Sequence, residues 1–191
     1  SSFGVQYVQQ AIRFAAELGC PMVDTVDGAF ETPGMTRKEV FRVTCDNYAQ
    51  VLPWAEDYDI VVNVEPHGPY TNDIDFMDRL FRHFNSEHLR CNFDTGNSYL
   101  AGEDPLAWLQ SVLDRLVHLH AKDISVAQSQ SERGKVTGTP VGCACGEGVI
   151  DWARVIDICG QAPRDLVLSV ECGTVEQARR SHDVLRSLLD R

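Results

Sequence analysis

Strand-like and helix-like segments alternate along the whole chain, and this order leaves few folds open. Short apolar runs, typical of buried strands, are each followed by a stretch whose apolar residues recur at helical spacing. The predicted strands are residues 21–26, 60–65, 89–94, 116–122 and 165–171. Strict alternation of this kind predicts parallel strands joined by right-handed crossover helices. Both an open doubly wound sheet and part of a (β/α)₈ barrel fit that pattern.

Residues typical of helix ends mark several of the intervening helices. Thr36 and Glu39 have the spacing of a capping box, and Asp104 precedes Pro105 as an N-cap precedes a first-turn proline. Gly19 is typical of a helix C-terminus. The predicted helices are residues 8–18, 36–57, 74–84, 106–113, 151–159 and 174–189. One helix therefore precedes the first strand, and one follows each strand.

The choice between the two architectures rests on motifs and length. The chain contains neither a GxGxxG motif after a strand nor a GxxxxGK[ST] motif, so a phosphate-cradling nucleotide fold loses support. A complete barrel typically needs about 250 residues, whereas this chain has 191. We also expect the leading helix to belong to a further strand that would precede it. We therefore expect a single α/β domain over residues 1–191, a (β/α)₈ TIM barrel represented by its C-terminal five βα units and incomplete at the N-terminus.

Composition excludes several classes of partner. The chain has 17 basic and 28 acidic side chains and a formal net charge of −11, which argues against binding to nucleic acid or to an anionic membrane surface. No apolar run approaches the roughly 18 residues of a spanning helix, so we expect a soluble protein. The seven cysteines, an odd number with no CxxC pair, are typical of reduced thiols and predict a cytoplasmic location.

Four successive predicted strands end in a side chain that can bind a metal ion. These residues are Glu65, Asp94, His120 and Glu171. In parallel α/β proteins ligands bind at the carboxyl ends of the strands. Three carboxylates at that edge repel one another unless a cation balances them. An oxygen-rich set with one imidazole favours Mn²⁺ or Mg²⁺, with Co²⁺ and Zn²⁺ as alternatives. Such a cation would act as a Lewis acid on a hydroxy-carbonyl substrate.

The segments that contain these residues resemble a known family. Residues 62–68 (VNVEPHG), 92–97 (NFDTGN), 118–123 (HLHAKD) and 169–173 (SVECG) are similar to the xylose isomerase-like TIM-barrel superfamily. Within it they most resemble the sugar phosphate isomerase/epimerase group. Residues 142–152 are similar to a glycine-rich segment that this group has after its histidine strand.

The resemblance implies specific residue roles. The metal ligands would be the four strand-end residues, and His118, two residues before His120, is the less favoured ligand because it lies one layer deeper. Glu65 and Glu171 would also act as the acid/base pair. His67 and Lys122 match positions that contact substrate, and Asn97 stands where ketose 3-epimerases often have a histidine; we include it among the substrate-binding residues. Lys122 could instead pair with its neighbour Asp123.

The resemblance also implies an activity and leaves alternatives open. We expect a metal-dependent sugar or polyol isomerase or epimerase that removes a proton alpha to a carbonyl and forms an enediolate. We also consider a homo-oligomer of this enzyme. A dehydratase or lyase acting on an inosose-like substrate begins with the same step. A non-catalytic, incomplete barrel that serves as a partner subunit is the third alternative. Residues 123–148, which show no clear period, are expected to form either a lid or a disordered loop.

Overall fold

The structure, a computed structural model, describes residues 2–139 and 141–191. Over these residues it contains one sheet of five parallel strands, in the order in which they occur along the chain. The strands are β1 (Met22–Thr25), β2 (Val61–Val64), β3 (Leu89–Asp94), β4 (Leu116–Ala121) and β5 (Val167–Val170). β1 and β5 occupy opposite edges, so the sheet is a half barrel, as the sequence predicted.

Eight helices surround the sheet in the described part of the chain. They are α1 (Ser2–Leu18), α2 (Arg37–Tyr58), α3 (Ile74–Phe84), α4 (Thr95–Leu100), α5 (Pro105–Val112), α6 (Val126–Glu132), α7 (Trp152–Cys159) and α8 (Val175–Leu189). None of them is both long enough and apolar enough to cross a membrane. All six predicted helices are present, whereas α4 and α6 were not predicted.

The predicted helix ends are confirmed by their hydrogen bonds. The Thr36 hydroxyl accepts from the backbone N–H of Glu39, and the Glu39 carboxylate accepts from the Thr36 N–H. Asp104 caps α5 through the N–H groups of its first turn. Gly19 ends α1 with a φ of +69°, a left-handed conformation that glycine adopts without strain.

Two apolar layers hold the helices against the outside of the sheet. The larger contains the outward-facing residues of β3 and β4, together with α3, α5 and α7, and its centre includes Phe93 packed edge-to-face on Trp108 with ring centroids 5.5 Å apart. The smaller lies between α1, α2 and β2 and includes Ile12, Ala55 and Val62. The three tryptophans lie on helices, and the seven cysteines are free thiols.

A register shift between β3 and β4 determines which side chains face the interior of the half barrel. Cys91 pairs with Leu116, but Asn92 pairs with His118 and Asp94 with His120. One extra residue on β4 therefore lies between these pairs. Because side chains alternate between the two faces of a strand, this shift places both histidines on the same face as Asn92 and Asp94.

The segment after β4 is ordered by one buried carboxylate. Asp123 has no exposed surface, and its two oxygens accept hydrogen bonds of 2.8–3.1 Å. The donors are the backbone N–H groups of Ile124, Gly146, Gly148 and Ile150 and the indole N–H of Trp152. This carboxylate joins the end of β4 to the start of α7. Residues 123–148, for which the sequence showed no period, thus contain α6 and a series of turns in their described part.

We expect Asp123→Asn to destabilise the fold strongly. In asparagine an NH₂ group replaces one of the two carboxylate oxygens. The buried N–H groups that this oxygen bound then face a donor and lose their hydrogen bonds. The free energy of unfolding should fall by about 3 kcal/mol, measured by urea denaturation. Asp46→Asn, at an exposed position of α2, is the matched control and should leave it unchanged. Equal stability of the two variants would contradict the assigned role of Asp123.

Candidate metal centre

The structure brings the four strand-end residues to one place. Each offers one ligand atom, and these atoms all lie within 4.8 Å of one another. Glu65 directly follows β2, and its N–H donates to the Thr25 carbonyl at 3.0 Å. Glu171 directly follows β5, and its N–H donates to the Ala121 carbonyl at 3.1 Å. The sheet ladder therefore continues through both glutamates and fixes their backbone.

Asp94, at the end of β3, connects the sheet to the helix that follows it. It is fully buried, and its Oδ1 accepts from the Asn97 N–H at 2.8 Å as the N-cap of α4. Its Oδ2 lies 2.8 Å from the Nζ atom of Lys122. One oxygen thus holds the helix, and the other faces the centre.

His120 projects between the two glutamates. Its Nδ1 lies 3.4 Å from Glu65 Oε1 and 3.2 Å from Glu171 Oε2. Its other ring nitrogen, Nε2, lies 3.1 Å from Asn92 Nδ2 on the neighbouring strand. The nitrogen that faces the carboxylates is therefore Nδ1.

Lys122 is a buried cation at the edge of this group. Its ammonium lies 2.8 Å from both Asp94 Oδ2 and Glu171 Oε1 and donates to Asn97 Oδ1. Its stem lies close to two glycines: a Cβ on Gly96 would come within 2.6 Å of Lys122 Cγ, and one on Gly142 within 2.9 Å. The carboxylate of the neighbouring Asp123 is occupied by N–H groups, and the ion pairs of Lys122 are with the metal-centre carboxylates instead.

The close packing of charges shifts several pKa values. Burial lowers the pKa of His120, but the carboxylates of Glu171 and Glu65 outweigh it and raise the pKa to about 10. Burial raises the pKa of Asp94, and Glu171 and Glu65 add to this effect against the opposing charge of Lys122. Burial acts in the same direction on Glu171, but His120 and Lys122 outweigh it and lower the pKa of that carboxyl.

The donor atoms fit a divalent cation. Among the described residues, His120 Nδ1 and Glu171 Oε2 are buried atoms without a hydrogen-bond partner; they lie 3.2 Å apart but are not aligned as a hydrogen bond. Buried polar atoms are rarely left in this state, and a cation between them would satisfy both. Three carboxylates and one imidazole form a ligand set suited to a hard or borderline divalent ion.

Asn97 is central to the hydrogen bonding around the centre. It is fully buried, and its Nδ2 donates to Glu65 Oε1 at 3.3 Å and to the Pro66 carbonyl at 3.2 Å. Its Oδ1 accepts from Lys122 Nζ at 3.1 Å and from the Thr139 N–H at 3.2 Å. Both ends of its amide are thus occupied by protein groups.

His67 lies in the turn after β2. Its N–H donates to Thr71 Oγ1 at 2.8 Å, and Thr71 in turn donates to Asp27 Oδ1 at 2.6 Å. The His67 Nδ1 is buried and has no hydrogen-bond partner in the described part of the chain. Asp27, which the sequence analysis did not single out, therefore ties this turn to the segment after β1.

Residues 137–139, which we call the strap, lie across the site. The Thr137 carbonyl accepts from Asn72 Nδ2 at 2.6 Å, and the Thr139 carbonyl accepts from Lys122 Nζ at 2.7 Å. A Cβ on Gly138 would come within 3.0 Å of the His67 carbonyl. The strap lies within residues 123–148, for which the sequence left a lid and a disordered loop open, but its contacts join residues far apart in the chain and were not predicted.

His118 lies outside the four-residue centre, in the layer below it. Its Nε2 lies 2.7 Å from Ser169 Oγ, and its Nδ1 lies 3.5 Å from Asp24 Oδ2. The His118 and His120 rings meet edge-to-face with centroids 4.9 Å apart. Asp24, His118 and His120 also form a group whose ligand atoms lie within 4.8 Å of one another.

Comparison with known proteins identifies the family. The sequence profile of the xylose isomerase-like TIM barrel matches residues 2–188. The chain belongs to the xylose isomerase-like TIM barrel family. The five parallel strands and their helices correspond to part of the barrel that characterises this family.

Sequence comparison finds relatives that match half of this chain or more. The chain is 30% identical over 101 residues to an inosose dehydratase of Lacticaseibacillus casei, a match that covers 50% of this chain and 34% of that enzyme. It is 23% identical over 195 residues to an uncharacterized protein of Methanocaldococcus jannaschii, covering 97% of this chain and 62% of that protein. The chain therefore spans less than two thirds of the length of either relative.

Several solved structures share the fold. A D-tagatose 3-epimerase-like protein superposes with a TM-score of 0.84 at 21% identity, over 99% of this chain and 69% of that one. A Mycobacterium smegmatis protein in complex with magnesium has a TM-score of 0.73 at 14% identity, over 99% of this chain and 68% of that one. The IOLI protein, solved with a bound zinc atom, has a TM-score of 0.71 at 16% identity, over 97% of this chain and 66% of that one.

We expect cation binding to release a proton. With its pKa raised to about 10, His120 is an imidazolium at pH 7 in the metal-free centre, and it must lose a proton before it can bind a metal ion. Affinity for Mn²⁺ should therefore rise with pH, by at least about tenfold per unit between pH 6 and 8.

Calorimetric titration in buffers of different ionisation enthalpy measures this release directly, and between one and two protons per cation are expected, because Asp94, whose pKa is also raised, can release a second one. His182→Gln, at an exposed position of α8, is the control and should not alter the proton count. Heats that do not depend on the buffer would contradict the protonated state of His120.

Proposed function

We propose that this protein is a divalent-metal-dependent isomerase or epimerase that acts on a small sugar or polyol. The convergence of the four strand-end side chains within 4.8 Å is the observation that supports this proposal most strongly. Two of these side chains are glutamates, which can act as acid and base, and all four can bind a cation. They lie at the carboxyl edge of a parallel sheet, where such proteins bind their substrates.

Glu65 and Glu171 are the proposed acid/base pair. They extend from strands that are separated by β3 and β4, so they would reach a bound carbon from different directions. One carboxylate would remove the proton alpha to a carbonyl, and the other would return a proton to the same or the adjacent carbon through an enediolate. Their exposures differ: Glu65 is buried, whereas the side chain of Glu171 is 33% exposed.

The proposed ligands of the cation are Glu65, Asp94, His120 and Glu171. The oxygen-rich set is our reason for proposing Mn²⁺ first, with Mg²⁺, Co²⁺ and Zn²⁺ as alternatives. When bound, a divalent ion supplies Lewis-acid polarisation of a carbonyl group. The chain's own contribution is to place the ligands, through the sheet ladder at both glutamates and the N-cap bond at Asp94.

Lys122, His67 and Asn97 are the proposed substrate-binding residues. The Lys122 ammonium can stabilise negative charge that develops on a substrate oxygen, because it lies among the carboxylates at the same edge. His67 has a buried ring nitrogen available for a hydroxyl group. Asn97 can contact a substrate only if the strap moves, since the Thr139 N–H and Lys122 now occupy its oxygen.

The relatives support both outcomes of proton abstraction. Epimerase-like proteins share the fold, and inosose dehydratases are sequence relatives. A dehydratase would remove the same proton and then expel a hydroxyl group, so the reaction products separate the two. The metal-loaded protein should be incubated in D₂O with ketoses, inososes and their phosphates.

Deuterium at the carbon alpha to the carbonyl, with the substrate otherwise intact or epimerised, supports the proposed isomerase or epimerase. Loss of water from an inosose would instead identify a dehydratase. No exchange with any of these compounds, in protein that binds Mn²⁺, would contradict proton abstraction from this substrate class.

Glutamine at either glutamate should separate catalysis from metal binding. Glu65→Gln and Glu171→Gln retain the size and one oxygen but remove the basic group, so turnover should fall about 10²–10⁴-fold at saturating Mn²⁺. Asp94→Asn should act mainly through metal affinity, and excess Mn²⁺ should partly restore its activity. Turnover and bound metal are measured together for each variant.

Glu56→Gln, at an exposed position of α2, is the matched control and should retain full turnover. If Glu65→Gln and Glu171→Gln keep near-normal turnover once the metal is saturating, the two glutamates are ligands only and the acid/base assignment is wrong.

A further inference from the structure

A layer of polar side chains lies directly beneath the metal centre, and every strand contributes one of them. The five residues are Asp24, Asn63, Asn92, His118 and Ser169. Polar side chains inside a barrel require partners, and most of these contact one another. The exception is Asn92, which is fully buried and whose amide reaches upward to the metal-centre residue His120.

The two ring nitrogens of His120 have different surroundings. Nδ1 lies 3.4 Å from Glu65 Oε1 and 3.2 Å from Glu171 Oε2, and it is the nitrogen that can bind the cation. Nε2 lies 3.1 Å from the Asn92 amide on the opposite side of the ring. An imidazole that binds a cation through Nδ1 carries its hydrogen on Nε2, so it needs an acceptor there.

We propose that Asn92 is the positioning residue of the metal centre and presents Oδ1 to the Nε2–H of His120. The structure places Nδ2 toward the ring and leaves Oδ1 without a hydrogen-bond partner in the described part of the chain. A half-turn of the amide exchanges these two atoms, which have nearly the same shape. His120 is then held in the tautomer that binds the cation, and its ring plane is fixed by Asn92 on one edge.

This inference rests on the proposed metal centre and deepens it. A hydrogen bond to the second nitrogen of a metal-binding histidine fixes the tautomer and raises the basicity of the first nitrogen. Removal of such a partner typically lowers metal affinity 10–100-fold. The register shift between β3 and β4, which pairs Asn92 with His118, is what brings the amide to this position.

The test compares two buried asparagines on adjacent strands. Asn92→Leu removes the acceptor and keeps the branched shape of the side chain. Asn63→Leu is the matched control: Asn63 is also fully buried and donates to Asp24 Oδ1 at 3.0 Å, but its side chain makes no hydrogen bond to any of the four proposed ligands in the described part of the chain. Zn²⁺ and Mn²⁺ affinities are measured by calorimetry. We expect a 10–100-fold loss for Asn92→Leu and less than about threefold for Asn63→Leu, because a hydrogen bond of this kind acts on the ligand that it contacts.

Nuclear magnetic resonance of the zinc-loaded protein supplies a second readout. In the wild type the Nε2–H signal of His120 should be downfield and slow to exchange with solvent, as expected of a buried hydrogen-bonded proton. Asn92→Leu should shift it upfield and accelerate its exchange. Asn92→Asp retains an acceptor oxygen at the same place, so it should preserve the signal and bind the cations with nearly the wild-type affinity. This variant also tests the inference if Asn92→Leu does not fold.

Each outcome has one interpretation. A wild-type protein that binds neither cation overturns both the proposed metal centre and this inference. If the wild type binds the cations normally, two results overturn the role of Asn92 alone. They are equal affinities for Asn92→Leu and Asn63→Leu, or an Nε2–H signal that Asn92→Leu leaves unchanged. Loss of the signal in folded Asn92→Asp does the same.

Discussion

Mutual repulsion of three carboxylates at one edge of the sheet is the constraint on which the site depends. Glu65, Asp94 and Glu171 lie too close together to remain ionised without compensation. In the metal-free protein the compensation comes from His120 and Lys122, both of which lie among the carboxylates. A bound divalent cation would replace the proton on His120, so charge balance and proton release are two aspects of one equilibrium.

The same groups that balance charge also organise the surrounding backbone. Asp94 uses one oxygen to start α4 and the other to pair with Lys122, and Lys122 extends to the strap through the Thr139 carbonyl. Asn97 joins Glu65 to that same strap. The strap is therefore held over the site by hydrogen bonds to Lys122 and Asn97.

The carboxyl ends of the strands hold the proposed site, whereas Asp123, in the segment that follows β4, stabilises the fold. Asp123 lies one residue beyond Lys122, yet its oxygens accept only from N–H groups that hold α7 and the preceding turns. Neighbouring ionisable residues thus have separate roles because strand alternation and the turn after β4 direct them to opposite sides of the sheet edge.

The sequence by itself determined the order of elements, the capped helix ends and the four strand-end side chains, because periodicity and capping are local properties of the chain. It did not predict α4, whose N-cap is the proposed ligand Asp94, or α6. Only the tertiary structure decided that β4 contains an extra residue opposite β3, which turns both histidines toward Asp94 and brings Asn92 beneath His120. Register, the strap and the partners of Asp123 all join residues distant in the chain, and such contacts are set by packing of the whole sheet and not by any local pattern.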